Sequence, residues 1–367
     1  MERIEKFVMF LEGGYKKNEF VIIDPSSYVG EFFSKETYRV TFEDIVNFHN
    51  NFKTDSWISC FSSFEKIIPE LRWDKKLVKD NGSEKFYKEE IAFGDKKKAE
   101  RIIGTRRGLI DQQLEGPVKG EEDFGLIDYY TRMISLNFKR LESILKPRIE
   151  KVNQIGRLPA ATLLIPFESY YLIEYKNMSL FYYDFQKRYR ESMDGILDVY
   201  LKLIDFLSSL GIKVFSMGSA GLELLSPWIF EEAIIPYVSQ ITDRIRRNKA
   251  YSLYHMCGYS RDIIESGIMD RLKPDIYEGC STPPCGNITD LKKTLSFLSK
   301  TVISKGNIPL QTLKDGIPAE IAEYVKNLNL ATRERRHIFG QADATILPGT
   351  PKKNIEAFID SVHNLFN

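Results

Sequence analysis

From residue 157 onward the chain alternates between short apolar runs and stretches with helical spacing. The runs are RLPAATLLIP (157–166), IKVFSM (212–217), AYSLYH (250–255), DIYEG (275–279), TVISKG (301–306) and HIFGQAD (337–343). They are mainly apolar runs and not alternating ones, the pattern of strands covered on both faces. Strands alternating with helices at this spacing imply a parallel sheet. The helix ends are marked in the sequence. Gly211 is a helix stop, Ser226 a cap with Pro227 at the first helical position, and Thr350 a cap followed by Pro351.

Two architectures satisfy that pattern, a closed barrel and an open doubly wound sheet. The open sheet usually carries a glycine-rich phosphate loop after an early strand, and neither GxGxxG nor GxxxxGK[ST] occurs here. The expectation is therefore an α/β fold, a (β/α)8 TIM barrel. FVIID (20–24) and SWISC (56–60) look like its early strands. NGSEKFYKEEIAF and RIIGTRRG suggest a hairpin-like insertion, with Asn81-Gly82 as a tight turn. With no clear linker, residues 1–367 read as one domain: an irregular part over 1–150 and regular βα units over 151–367 that carry the site.

Fifty-two basic against fifty-one acidic side chains leave a net charge of +1, which argues against nucleic acid as the main partner. The basic stretches KKLVKD and GDKKKAERIIGTRRG read as solvated surface. No window approaches the roughly 20 apolar residues of a membrane span. The start, MERIEKFVMFLEGG, lacks the uninterrupted apolar region of a signal peptide. A cytoplasmic location follows as an expectation, and there the four cysteines are thiols.

Three of those four, Cys257, Cys280 and Cys285, fall within 29 residues. In YHMCG, His255 and Cys257 are two positions apart at the C-terminal end of a strand, so both side chains project to one face. That end of a barrel is where active sites are built. An imidazole nitrogen and a thiolate at this spacing can share one metal ion, and mixed N and S donors favour zinc. Without a metal, the pair would be a buried Cys beside a hydrogen-bonded His. Glu278, at the end of the next strand, ranks first as third ligand; Glu223, Cys280, Cys285 and Asp343 remain alternatives. The CxxxxC spacing of Cys280 and Cys285 favours an open site over a closed structural knuckle.

YHMCGYSRDIIESGIMD, DIYEGCSTPPCGN, ISKGNIPLQTLKDGIPAEI and GTPKKNIEAFID resemble, in order and spacing, the uroporphyrinogen decarboxylase superfamily, most closely its cobalamin-dependent methyltransferase branch. The resemblance covers roughly residues 155–367. It implies a (β/α)8 barrel and a zinc-dependent enzyme that moves a methyl group between a small methylated compound, such as a methoxy-aromatic, and a corrinoid. The corrinoid (cobalamin) would be carried by a partner protein docking over the barrel mouth, and a homodimer is compatible. The sequence departs from the superfamily in three places. The arginine-rich N-terminal segment that grips a porphyrin's carboxylates is missing. Asp343-Ala344 stands near the place of a third zinc cysteine in the thiol-methylating members. Gly286-Asn287 stands where Gly-Asp is common. A thiol methyltransferase, a decarboxylase or lyase of a non-porphyrin substrate, and a barrel without catalytic activity are the alternatives.

Overall fold

The computed structural model describes residues 2–26, 28–35, 40–61, 68–93, 97–106, 112–164, 175–218, 225–343 and 345–366. Seven strands form one parallel sheet: β1 (Ile58–Phe61), β6 (Pro159–Leu164), β7 (Val214–Gly218), β8 (Tyr251–His255), β9 (Ile276–Glu278), β10 (Ile303–Ile308) and β11 (His337–Gln341), hydrogen-bonded in that order. Chain order equals spatial order, so each helix carries the chain forward to the adjacent strand.

The sheet curls, and residues 20–24 stand between its two ends. Val21 bridges Phe339 of β11 in parallel, with Ile22 N donating to Phe339 O at 2.9 Å. On the other side Asp55 N donates to Val21 O at 2.8 Å, and Ser56 Oγ accepts from Ile23 N. Segment 20–24 thus has the place expected of an early strand, although its pairing is a single bridge and not a ladder.

Burial follows the expected layering. The outward residue Tyr254 packs edge-on against Phe230 of the helix Pro227–Ala233. Leu253, Ile276, Ile303 and Ile338 meet on the inner side with Phe7, Phe10 and Phe20. Phe7 and Phe10 belong to the helix Arg3–Glu12, whose apolar face caps that end of the sheet interior. Arg336 holds the helix there by donating to the carbonyls of Phe10 and Leu11 at 2.8 and 2.7 Å.

The hairpin expected at Asn81-Gly82 is present. β2 (Asp74–Asp80) and β3 (Glu84–Phe93) are antiparallel, and β4 (Lys97–Arg106) and β5 (Gln112–Glu115) extend them to a separate four-stranded sheet. Lys88 meets Glu100 across the strands at 2.6 Å on an exposed face, but Arg101 is buried and donates to Glu89 at 2.8 Å, so the second basic stretch is not all solvated surface; its residues 94–96, 107 and 108 lie outside the described residues.

The helix signals hold in part. Gly211 ends its helix in the left-handed conformation, and Ser226 Oγ accepts from Ile229 N at 3.3 Å. Thr350 does not cap the last helix: its hydroxyl donates to Leu347 O, and the helix starts after Pro351. The helix that opens after Ser226 with Pro227 is broken at Ile234, since Pro236 in the next turn has no N–H to continue the ladder.

Two glycines bring the strand ends close together. Gly218 and Gly279 have φ of +141° and +125°. A methyl group on Gly279 would stand 1.9 Å from Met256 O, and one on Gly218 would stand 2.1 Å from His255 O. The ends of β7, β8 and β9 therefore approach more closely than any side chain permits. Gly279→Ala should cost about 3 kcal/mol or more in urea unfolding, combining overlap with backbone strain. Gly82→Ala, at φ +80° with nothing within 4 Å, should cost only about 1–2 kcal/mol. Equal losses would contradict this account of the strand ends.

Candidate metal centre

Parallel register aligns three functional side chains. His255 pairs with Glu278, and Glu278 with Lys305, on β8, β9 and β10. Register partners on neighbouring parallel strands point to one face about 4.8 Å apart. The three therefore form a row across the C-terminal rim, one layer above Leu253, Ile276 and Ile303.

Glu278 is the middle of the row and is engaged on both sides. Lys305 Nζ donates to its Oε1, and Oε2 lies 3.2 Å from His255 Nδ1. Only 2% of the Lys305 side chain and 9% of that of Glu278 are exposed. Burial alone would raise the Glu278 pKa, but the ammonium of Lys305 and the ring of His255 outweigh it and bring it down to about 2. Glu278 is thus a carboxylate, able only to accept, so Nδ1 carries a proton and donates to it. In the neutral ring that leaves the Nε2 lone pair pointing the other way.

Nε2 faces Cys257 Sγ at 2.8 Å. Burial pulls the imidazole toward neutrality, while Cys257 and Glu278 together raise its pKa well above the ordinary value. Burial raises the Cys257 pKa; His255 opposes that rise and Asp343, in the loop after β11, adds to it. His255, Cys257 and Asp343 each offer one donor atom, all within 4.8 Å of one another and all half-buried. Nitrogen, sulfur and carboxylate oxygen in such a group are the donor types of zinc sites, whose bonds are about 2.0–2.3 Å.

The other expected ligands are elsewhere. Glu278 stands on the Nδ1 side of His255, away from the donor group. Cys280 is buried, and its thiol is pushed up to about 12 by that burial. Cys285 is exposed and lines a narrow cleft that Asp343 also borders. Glu223 lies outside the described residues. The remaining histidines are engaged otherwise: His49 with Thr54, His337 with Ser304 and Gly306 O, and His363 near Arg3. Burial lowers both His49 and His337 to about 3, so both are neutral packing residues.

Sequence reasoning missed Lys305 and Asp24. The signal for Lys305 was a lone lysine inside the apolar run TVISKG, since lysine is seldom buried without a partner. Asp24, at the end of FVIID, borders a cavity of about 270 Å³ that reaches Glu278 and Lys305 from the inner side of the sheet.

The family model for uroporphyrinogen decarboxylase (URO-D) matches residues 150–365, more than half of the chain and all of the row just described. The chain belongs to this family. No curated protein matches it. Among solved structures, a methyltransferase from Methanosarcina mazei superposes with a TM-score of 0.69 at 11% identity, covering 99% of this chain and 98% of its own. A B12-independent methionine synthase from Shewanella sp. W3-18-1 superposes with a TM-score of 0.48 at 9% identity, covering 94% of each chain. At such identity the likeness concerns the fold. No helix among the described residues of this URO-D family member is long and apolar enough to cross a membrane.

The buried pair yields a pH prediction. The Glu278 pKa falls from an ordinary 4.5 to about 2 on folding, so its stabilisation is complete above pH 4.5 and is lost as the pH drops toward 2. Glu278→Gln leaves Lys305 buried without its counter-charge and should lose about 3 kcal/mol at pH 7 in urea unfolding. The variant should also lose part of the wild-type slope between pH 4.5 and 2. Wild-type stability in Glu278→Gln would contradict the role given to the pair.

Proposed function

We propose that this URO-D family member is a zinc-dependent methyltransferase, with His255, Cys257 and Asp343 as metal ligands and Glu278 as the group that orients His255. The observation that carries the reading is the donor group itself, with His255 fixed from behind by a buried carboxylate. Metal-binding histidines usually donate their second ring N–H in this way. The architecture that goes with the reading is a (β/α)8 barrel in which residues 20–24 are the eighth strand. Support for it comes from their contacts with both β11 and the segment before β1.

When bound, the ion supplies Lewis-acid activation of a methyl-bearing heteroatom, or holds a thiol as thiolate, at a position the three ligands leave free. The protein's residues do the rest. Glu278 keeps the proton on Nδ1 and thereby presents Nε2 as a donor. Lys305 keeps Glu278 ionised in a site where burial would otherwise protonate it. Gly279 brings the end of β9 against the end of β8, so that Glu278 and His255 meet. A corrinoid carried by a separate protein would supply the cobalt that takes up or gives back the methyl group as a cation equivalent, the old bonding pair staying with the atom the methyl leaves and the new pair coming from the atom that receives it.

Asp343 takes the third position in preference to Glu278 because Glu278 is already shared by Lys305 and His255. A zinc-binding barrel of another activity, such as a non-porphyrin decarboxylase, shares the ligand set and is separated by the methyl-transfer assay.

The purified protein should hold close to one zinc per chain. His255→Ala, Cys257→Ala and Asp343→Ala should lose it, whereas Glu278→Gln should keep it with about 10–100-fold weaker affinity. Mixed with a corrinoid protein and a methoxy or thiol compound, the loaded enzyme should change the corrinoid absorption spectrum. Zinc retained in all three alanine variants would refute the ligand set. Zinc binding without any corrinoid change across donors and acceptors would refute methyl transfer.

A further inference from the structure

The cavity of about 270 Å³ inside the sheet lies at the seam where segment 20–24 meets β1, with Glu278 and Lys305 at one side. Ligand pockets usually start at about 300 Å³, so an occupant would be small. One wall is apolar, made by Ile22, Ile45, Trp57 and Leu253. The other is hydroxylic. Ser59, Thr162 and Ser216 line it from β1, β6 and β7, and each is partly exposed although its neighbours along the strand are buried. Thr162 is the register partner of Ser216, and Ser216 of Leu253, so these side chains share the inner face. Ser59 Oγ donates its one proton to Phe61 O at 2.7 Å. In its 3.2 Å contact with Thr162 it therefore accepts, and Thr162 keeps its lone pairs. Among the described residues nothing is hydrogen-bonded to the Ser216 hydroxyl or to the indole N–H of Trp57. His49, 3% exposed, also borders the cavity; Thr54 meets one ring nitrogen, and the other has no partner among the described residues.

The charged groups around the cavity are already met. Lys305 and His255 engage the two oxygens of Glu278. Asp24 is exposed to water and accepts from Ser26 N at 2.7 Å. What the wall leaves open is polar and uncharged. We propose that this cavity binds a small uncharged alcohol, its apolar body against Ile45, Trp57 and Leu253 and its hydroxyl groups against Thr162, Ser216 and His49. A hydroxyl both donates and accepts, so one ligand group type serves the Thr162 lone pairs, the Ser216 hydroxyl and either tautomer of a neutral imidazole. Burial keeps His49 in that neutral form, its pKa lowered to about 3. A carboxylate or an ammonium group would give up its water shell here without a free counter-charge inside. The inference rests neither on zinc nor on methyl transfer, and the binding is read without activity.

Saturation-transfer NMR of the purified wild-type protein, titrated with cis- and trans-1,2-cyclohexanediol, should show saturable binding of at least one isomer. Cyclohexylammonium and cyclohexanecarboxylate carry a charge on the same ring and should bind at least about tenfold more weakly. Ser216→Ala and Thr162→Val, with folding checked by circular dichroism, should each weaken the diol about fivefold, the share of one hydrogen bond. No saturable binding of either diol overturns the proposal. A charged analogue bound as tightly as the diol overturns it too, as does a diol affinity unchanged in either variant. The charged-against-neutral comparison uses wild type alone, so it stands even where a variant does not fold.

Discussion

A lysine and a glutamate, both buried at the rim of a parallel sheet, fix the arrangement of everything around them. Taking two charges out of water costs several kcal/mol per ion, and only close geometry with further hydrogen bonds offsets it. Here Lys305 and Glu278 are register partners on β10 and β9, and the spare oxygen of Glu278 is used by His255 on β8. The pair thereby transmits a constraint across three strands. Glu278 must remain ionised because Lys305 is beside it, and His255 must donate through Nδ1 because Glu278 is ionised. Which ring nitrogen faces Cys257 is decided two strands away.

The same logic accounts for the rest of the rim. Gly218 and Gly279 allow backbone approaches that bring neighbouring strand ends together. At the opposite end, Phe7 and Phe10 of the first helix fill the interior, and the cavity beside Asp24 lies along the seam between segment 20–24 and β1. Membership of the URO-D family concerns residues 150–365; segment 20–24 and Trp57, which bound the cavity, lie outside that match.

Much of the fold was legible in the sequence because strands buried on both faces read as mainly apolar runs without alternation, and glycine or capping residues punctuate the helices between them. The Asn81-Gly82 hairpin was legible for the same local reason. Thr350 misled because its hydroxyl had a carbonyl nearer than the helix start. In the site, the common direction of His255 and Cys257 follows from strand periodicity, and the adjacency of Glu278 follows from strand order. That Asp343, and not Glu278, lies in one donor group with His255 and Cys257 was not legible. It depends on Glu278 being engaged by Lys305 and His255, and on curvature that brings the loop after β11 to the end of β8 although the two strands are not neighbours. Spacing along a chain carries neither fact.

The proposal that His255, Cys257 and Asp343 share one zinc ion, with Glu278 behind the histidine, is tested most directly by diffraction from zinc-loaded crystals at the zinc absorption edge. The expected result is one anomalous peak about 2.0–2.3 Å from His255 Nε2, Cys257 Sγ and an Asp343 oxygen, with Glu278 still on Nδ1. A peak bonded to Glu278, or none at the rim, would contradict it.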